Sequence, residues 1–228
     1  MIIKPSYKLI YPNDFHNKIL CGDALDIIKK VPDESINTIL TDPPYGISKE
    51  GIKNSESLET FYNILPDFYR VLKKDSFFIT FFSTKRLPDL FKNNPFQYFW
   101  QFVLYCPLAS VRSPIGFTKY MSCIIFKKGN PKMPKWKKDI FVDTPSKMVE
   151  PDEGFINHPS PKPKTFIKEI LDMFSKEQDI ILDPFVGSGS TALACKQTNR
   201  NFIGFEINKE YCELAESRLN KYKIPTNL

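Results

Sequence analysis

Leu182-Asp183-Pro184-Phe185-Val186-Gly187-Ser188-Gly189-Ser190-Thr191-Ala192 follows a short apolar run, DIILD at 179–183, and opens a segment of helical character near Ser190. Strand, glycine turn and helix in that order form the unit that opens an α/β nucleotide-type site. Glycines let the chain turn sharply and bring backbone close to a ligand. No Lys follows the second glycine, so the turn is not built to grip phosphates as a Walker loop does. The next strand, NFIGFE at 201–206, ends on Glu206, where an acid would accept hydrogen bonds from a ribose diol. Nicotinamide dinucleotides and S-adenosylmethionine both carry that diol, so the glycine turn and Glu206 do not choose between them.

Working outward, the same alternation continues. Asn208 is placed to cap a last helix reaching about Lys221. Upstream, residues 163–175 fit a helix with Pro in its first turn. The spacing of Leu58, Phe61, Tyr62, Leu65, Phe68, Tyr69 and Leu72 predicts a helix over 57–72. Strands are expected before Cys21 and at 36–40, 76–82, 98–105 and 120–126, with short helices at 24–30 and 84–92. Residues 127–161, rich in Pro and Lys, read as loop. The expectation is one domain over 1–228: an α/β, mostly parallel, doubly wound sheet with an antiparallel portion.

Composition is that of a globular protein, with 42% hydrophobic and 25% charged residues. No apolar run approaches the roughly 20 residues that span a bilayer, and the N-terminus lacks a signal-peptide core. A cytoplasmic protein without membrane partners is expected. Cys21, Cys106, Cys123, Cys195 and Cys212 are scattered with no C-x-x-C pair, which argues against a metal site or disulfide framework. The net charge of +6 is uneven. Residues 119–147 hold eight Lys and two Asp, and the rest of the chain sums to zero. A confined positive excess suits a polyanion.

The second informative stretch is Asp42-Pro43-Pro44-Tyr45, at the carboxyl end of the 36–40 strand, where α/β sheets place ligands. Two prolines stiffen the backbone and remove its N–H groups. Methyl transfer to a conjugated amine needs such a fixed set of acceptors. The lone pair of an amine such as adenine N6 is delocalised into its ring. Accepting hydrogen bonds from both N–H groups draws the nitrogen toward tetrahedral geometry. Asp42 carboxylate and the Pro43 carbonyl would accept, and Tyr45 would stack on the base at about 1–3 kcal/mol. No cysteine nucleophile is needed, and there is no Pro-Cys pair of the kind C5-cytosine chemistry would use.

Together these segments resemble the DNA amino-methyltransferases that modify N6 of adenine or N4 of cytosine. Thr41 to Tyr45 looks like their catalytic motif and Asp183 to Gly189 like their cofactor motif. The catalytic motif comes first, as in the permuted β group of that family. The resemblance covers nearly the whole chain and implies a Rossmann-like methyltransferase fold with S-adenosylmethionine as cofactor. It also implies that Asp23 contacts the cofactor's adenine amine and Glu206 its ribose. Asp183, Phe185, Gly187 and Gly189 would line the cofactor wall. His158 to Pro163 resembles the family's His-Pro-Thr-Gln-Lys-Pro segment, with Ser160 and Pro161 as departures. Ser160 and Lys162, with the helix N-terminus that follows, would meet the methionine carboxylate. Asp23 also fits a helix N-cap, and His158 a packing role.

The β group places target recognition before the His-Pro segment, here at about 129–157. Lys132, Lys135, Lys137 and Lys138 around Trp136 are the candidate contacts to double-stranded DNA, and the short segment invites a homodimer. Residues 47–57 suit a loop closing on a flipped base. Asp at position 42 favours adenine, since the cytosine enzymes more often carry Ser there. N4-cytosine, RNA adenine and protein glutamine remain rival substrates, the last two usually going with a different motif order. A nicotinamide oxidoreductase would leave Asp42 to Tyr45 unexplained, and a silent DNA-binding module is the remaining alternative.

Overall fold

The structure, a computed structural model, describes residues 9–44, 58–107, 111–142, 149–150, 154–155 and 162–222. In chain order the elements begin β1 (Lys18–Cys21), α1 (Ala24–Ile27), β2 (Ile36–Thr41), α2 (Glu59–Val71), β3 (Leu72–Phe82), α3 (Leu87–Leu90) and β4 (Gln97–Tyr105). Then follow β5 (Val111–Ser113), β6 (Gly116–Thr118), β7 (Tyr120–Lys128), β8 (Ile140–Val142), β9 (Val149–Glu150) and β10 (Gly154–Phe155). The chain ends with α4 (Lys164–Phe174), β11 (Ile180–Asp183), α5 (Ser190–Gln197), β12 (Asn201–Glu206) and α6 (Lys209–Lys221).

Eight strands form one sheet in the order β1-β12-β11-β2-β3-β7-β4-β8. The five from β1 to β3 are mutually parallel. β7 runs antiparallel to both β3 and β4, and β8 pairs parallel with β4. The chain leaves β2 through α2 toward β3, and leaves β11 through α5 toward β12. The strand order therefore reverses between β2 and β11, and ligands bind α/β sheets outside the strand ends at such a reversal. Both chemically informative segments begin there.

Period-two alternation explains the two cores. Phe77, Ile79 and Phe81 of β3 join a cluster with the apolar faces of α4, α5 and α6. Phe78 and Phe82 join the opposite cluster with Ala24 and Ile27 of α1 and with Phe61, Ile64, Leu65 and Phe68 of α2. The expected doubly wound sheet with an antiparallel portion is what forms. Asn208 caps α6, its side chain accepting from the N–H groups of Glu210 and Tyr211.

Three details differ from expectation. Residues 84–92 form a 3-10 turn and one short helix, because Pro88 sits within them. The stretch read as loop from 127 contains the end of β7, the edge strand β8 and the β9–β10 pair. The hairpin β5–β6 was not expected at all. In both places the strands are two or three residues long, too short to show a period.

Candidate active site

Asp42 follows the last residue of β2 and Asp183 is the last residue of β11, its neighbour. The Thr41 hydroxyl donates to Asp183 Oδ1 at 2.7 Å, and the Phe185 N–H donates to the same oxygen at 3.2 Å. Burial pushes the Asp183 carboxyl up to about 6, against the opposing hydrogen bonds of Thr191, Thr41 and the Phe185 amide; the charge of Asp42 raises it further. The catalytic and cofactor candidates are thus joined through one buried carboxyl.

Asp42 is half-buried between β2 and the first proline. Its Oδ2 forms an ion pair with Lys162 Nζ. The lysine side chain is almost wholly enclosed, at 8% exposure for the residue, and its ammonium lies 5.3 Å from the centre of the Phe81 ring. Both partners precede a proline, Pro43 and Pro163, which biases each backbone to an extended form. Asp42 Oδ1 is buried and has no hydrogen-bond partner among the described residues. An orphaned buried acceptor is costly in a folded protein unless a ligand completes it. The family resemblance implies a contact between Lys162 and the methionine carboxylate; in this structure its ammonium meets Asp42. Tyr45, His158, Ser160 and the 47–57 segment lie outside the described residues.

The glycine turn is braced from two sides. Gly189 has φ +83° and is the N-cap of α5. A Cβ there would fall 2.8 Å from Cβ of Ala215 on α6, so glycine is required both by conformation and by close helix approach. Behind it, the buried Arg218 of α6 donates to the Ser188 carbonyl at 2.5 Å and reaches the Ser188 and Ser190 hydroxyls at 3.2 and 3.4 Å. Arg218 was missed in the sequence. Its signal is spacing: Cys212, Ala215 and Leu219 form the buried stripe of α6, and Arg218 falls within it.

Glu206 ends β12 and is raised above the ordinary carboxyl range by burial. It accepts from the Gly187 N–H at 3.0 Å and from the Asn208 N–H at 2.8 Å, one to each oxygen. Each carboxylate oxygen has a second lone-pair direction, so a diol can still be accepted. Asp23 follows β1, whose last residue Cys21 is in register with Glu206. It is exposed and caps α1 through Oδ1, which accepts from the Leu25 N–H at 2.8 Å. Asp23, Glu206, Asp183 and Asp42 therefore stand in sequence across four adjacent strand ends. Phe185 is partly buried beside them. These acceptors, the apolar flank and the two glycines of the turn, Gly187 and Gly189, fit a purine nucleoside. All five cysteines are free thiols, and burial raises those of Cys123, Cys195 and Cys212.

The lysine run is arranged differently. Lys135 pairs with Asp172 at 3.4 Å, and Lys137 with Glu169 and Asp172 at 2.5 and 3.3 Å. Asp172 is in the last turn of α4, whereas Lys162 precedes its first. Ten residues of mostly helix put the two about 15 Å apart along the axis. The structure therefore does not bring Lys135 and Lys137 to the end of the sheet that carries Asp42. Trp136 is 90% exposed, and Lys132 and Lys138 are exposed with no ion pair among the described residues. No helix among the described residues is long and apolar enough to cross a membrane.

Sheet order, switch-point site and permuted chain order define a Rossmann-like methyltransferase fold. A DNA methylase family model matches residues 124–217. The DNA adenine methyltransferase YhdJ of Escherichia coli (strain K12) is 30% identical over 252 residues, covering 92% of this chain and 85% of that protein. The type II methyltransferase M.HpaI of Haemophilus parainfluenzae is 28% identical over 233 residues, covering 89% and 74%. The crystal structure of the M1.HpyAVI-SAM complex superposes with a TM-score of 0.68 at 26% identity, covering 89% of this chain and 98% of that one. The chain belongs to the DNA methylase family whose members modify adenine N6 or cytosine N4.

Proposed function

We propose that this protein transfers a methyl group from S-adenosylmethionine to N6 of adenine in double-stranded DNA. The observation that carries the reading is the buried, unpartnered Oδ1 of Asp42 at the strand end beside the glycine turn. An exocyclic amine is the donor such an oxygen lacks. Adenine is favoured over cytosine by Asp at position 42 and by the adenine specificity of YhdJ.

The cofactor supplies an electrophilic methyl group on a sulfonium. Asp23 accepts the adenine amine through the oxygen left by its capping bond, and Glu206 accepts the ribose hydroxyls. Phe185, Gly187 and Gly189 flank the nucleoside, and Asp183 holds the turn. Asp42 Oδ1 and the Pro43 carbonyl accept the two N–H groups of the target amine, the proton released on methylation passing to Asp42 or solvent, with Pro44 fixing the turn and Tyr45 stacking on the base. Lys162 acts as a positioning residue: by engaging Oδ2 it orients Oδ1. The target base must leave the duplex to reach these groups. Lys132, Lys138 and Trp136 remain as outer DNA contacts.

The test is transfer of tritiated methyl from S-adenosylmethionine to unmethylated DNA, with the product nucleoside identified by mass spectrometry. N6-methyladenine is expected. N4-methylcytosine would reassign the base, and no transfer to any DNA would overturn the reading.

A further inference from the structure

The β5–β6 hairpin has no place in the site above, yet it stands at the same end of the sheet. Phe82, at the carboxyl end of β3, is in register with Ser122 of β7, and Tyr105 at the end of β4 with Tyr120. The connection from β4 to β7 therefore emerges at the edge that carries Asp42. Two to three strand spacings of about 4.8 Å put it roughly 10–15 Å to the side. A tight turn, Pro114-Ile115, closes the hairpin between Ser113 and Gly116.

Its chemistry is unusual for a surface turn. Turn tips ordinarily carry polar residues, but Ile115 is 97% exposed and Phe117 62% exposed. Arg112 is in register with Phe117, so both side chains project from the same face. Arg112 is exposed and has no ion pair among the described residues. The sequence from Asp89 to Asp139 holds nine Lys or Arg between those two acids and no Asp or Glu. The hairpin lies inside that span. An apolar tip beside Arg112, with no Asp or Glu in residues 111–118, next to a site that takes an extruded base, matches a duplex better than an apolar protein surface.

We propose that the hairpin 111–118 enters duplex DNA, with Ile115 as an apolar wedge at a base step and Arg112 on the flanking phosphate. The inference rests on the DNA-methylation reading and adds to it the element that helps open the stack. Apolar side chains inserted between base steps unstack them, which lowers the cost of turning a base out.

The test compares wild type with Ile115→Ser, Phe117→Ala and Arg112→Ala on unmethylated duplex DNA at saturating S-adenosylmethionine. Ile115→Ser should slow single-turnover methylation by tenfold or more, with thermal midpoint and S-adenosylhomocysteine affinity unchanged. Phe117→Ala should slow it in the same direction. Ile115→Ser should leave the salt dependence of DNA binding unaltered, and Arg112→Ala should flatten it by about 0.9 in log-log slope. Normal duplex methylation by Ile115→Ser would overturn the wedge. So would a rate loss that tracks a change from dimer to monomer in sedimentation, because the tip would then be a contact between copies. A wild type inactive on all DNA would instead fail the underlying reading, and the wedge with it.

Discussion

Thr41 Oγ1 donates to Asp183 Oδ1 at 2.7 Å, so the residue preceding the catalytic candidate is tied to the residue that opens the glycine turn. The two are 142 positions apart in sequence and adjacent in the sheet. A methyl donor held by one strand end and an amine held by the other would be brought together by this contact without a hinge. Fixed relative placement of reactants is a large part of what an enzyme supplies to a bimolecular step.

Asp183 makes a pH prediction. Its folded-state value of about 6 lies above the ordinary 3.8, so the folded protein binds this proton more tightly than the unfolded chain. The resulting stabilisation is fully present below about 3.8 and is lost as pH rises through about 6. The two-unit gap corresponds to roughly 3 kcal/mol. Asp183→Asn keeps an acceptor for Thr41 and removes the titration. Denaturant unfolding of both proteins from pH 4 to 7 should show the difference growing in favour of the variant across that window. A constant difference would mean that Asp183 does not titrate there.

Arg218 predicts a loss at a distance from any ligand contact. Arg218→Met keeps much of the apolar stem but leaves the Ser188 carbonyl without its charged donor. An unsatisfied buried group costs about 1–3 kcal/mol. The turn it braces should loosen, so S-adenosylhomocysteine affinity measured by calorimetry should fall along with thermal stability. Unchanged affinity in a destabilised protein would limit Arg218 to holding α6.

The glycine turn, its flanking strand and helix, and the position of Asp42, Pro43 and Pro44 at a strand end were legible because each is local. Gly187 and Gly189 announce a turn, and runs such as INTIL announce a strand. Lys162 and Arg218 were not legible in the same way. An isolated Lys or Arg in a sequence looks solvated, and its burial depends on a partner in another element. Lys162 reaches across 120 positions to Asp42. The basic run was visible as charge, but its ion pairs with α4 depend on how that helix is rotated. The β5–β6 hairpin was hidden because three-residue strands carry no period.

The Asp42–Lys162 pair can be tested by a double-mutant cycle. Asp42→Asn should lower methyl transfer by about 10²-fold or more, as for loss of one preorganised electrostatic group. Lys162→Met should lower it on the order of tenfold, and Lys162→Arg should recover part of the loss. If Lys162 acts through Asp42, the double variant will be no slower than Asp42→Asn alone. Multiplying effects would separate the two residues. A Lys162→Met protein with weakened cofactor binding and a normal rate at saturation would return the lysine to the methionine carboxylate.

The lysine run divides into two pairs with different expected behaviour. Lys135 and Lys137 are held against Glu169 and Asp172, at the end of α4 remote from Asp42. Ammonium groups already neutralised by carboxylates release few counterions when DNA binds. Lys135→Ala with Lys137→Ala should therefore leave the slope of log affinity against log salt nearly unchanged. Their loss should cost little stability, because partly exposed ion pairs contribute at most about 1 kcal/mol each. Lys132 and Lys138 have no such partners among the described residues. If the duplex extends past the catalytic edge along this side, replacing both with Ala should flatten the slope by about 1 to 2 units, at up to 0.9 per phosphate contact. A salt titration of DNA binding by the two double variants, with cofactor affinity as control, separates the pairs. A larger change from the Lys135 and Lys137 variant would show that DNA displaces the α4 ion pairs on binding. An unchanged slope in both would confine DNA contact to the catalytic edge and leave the lysine run as a solvated face.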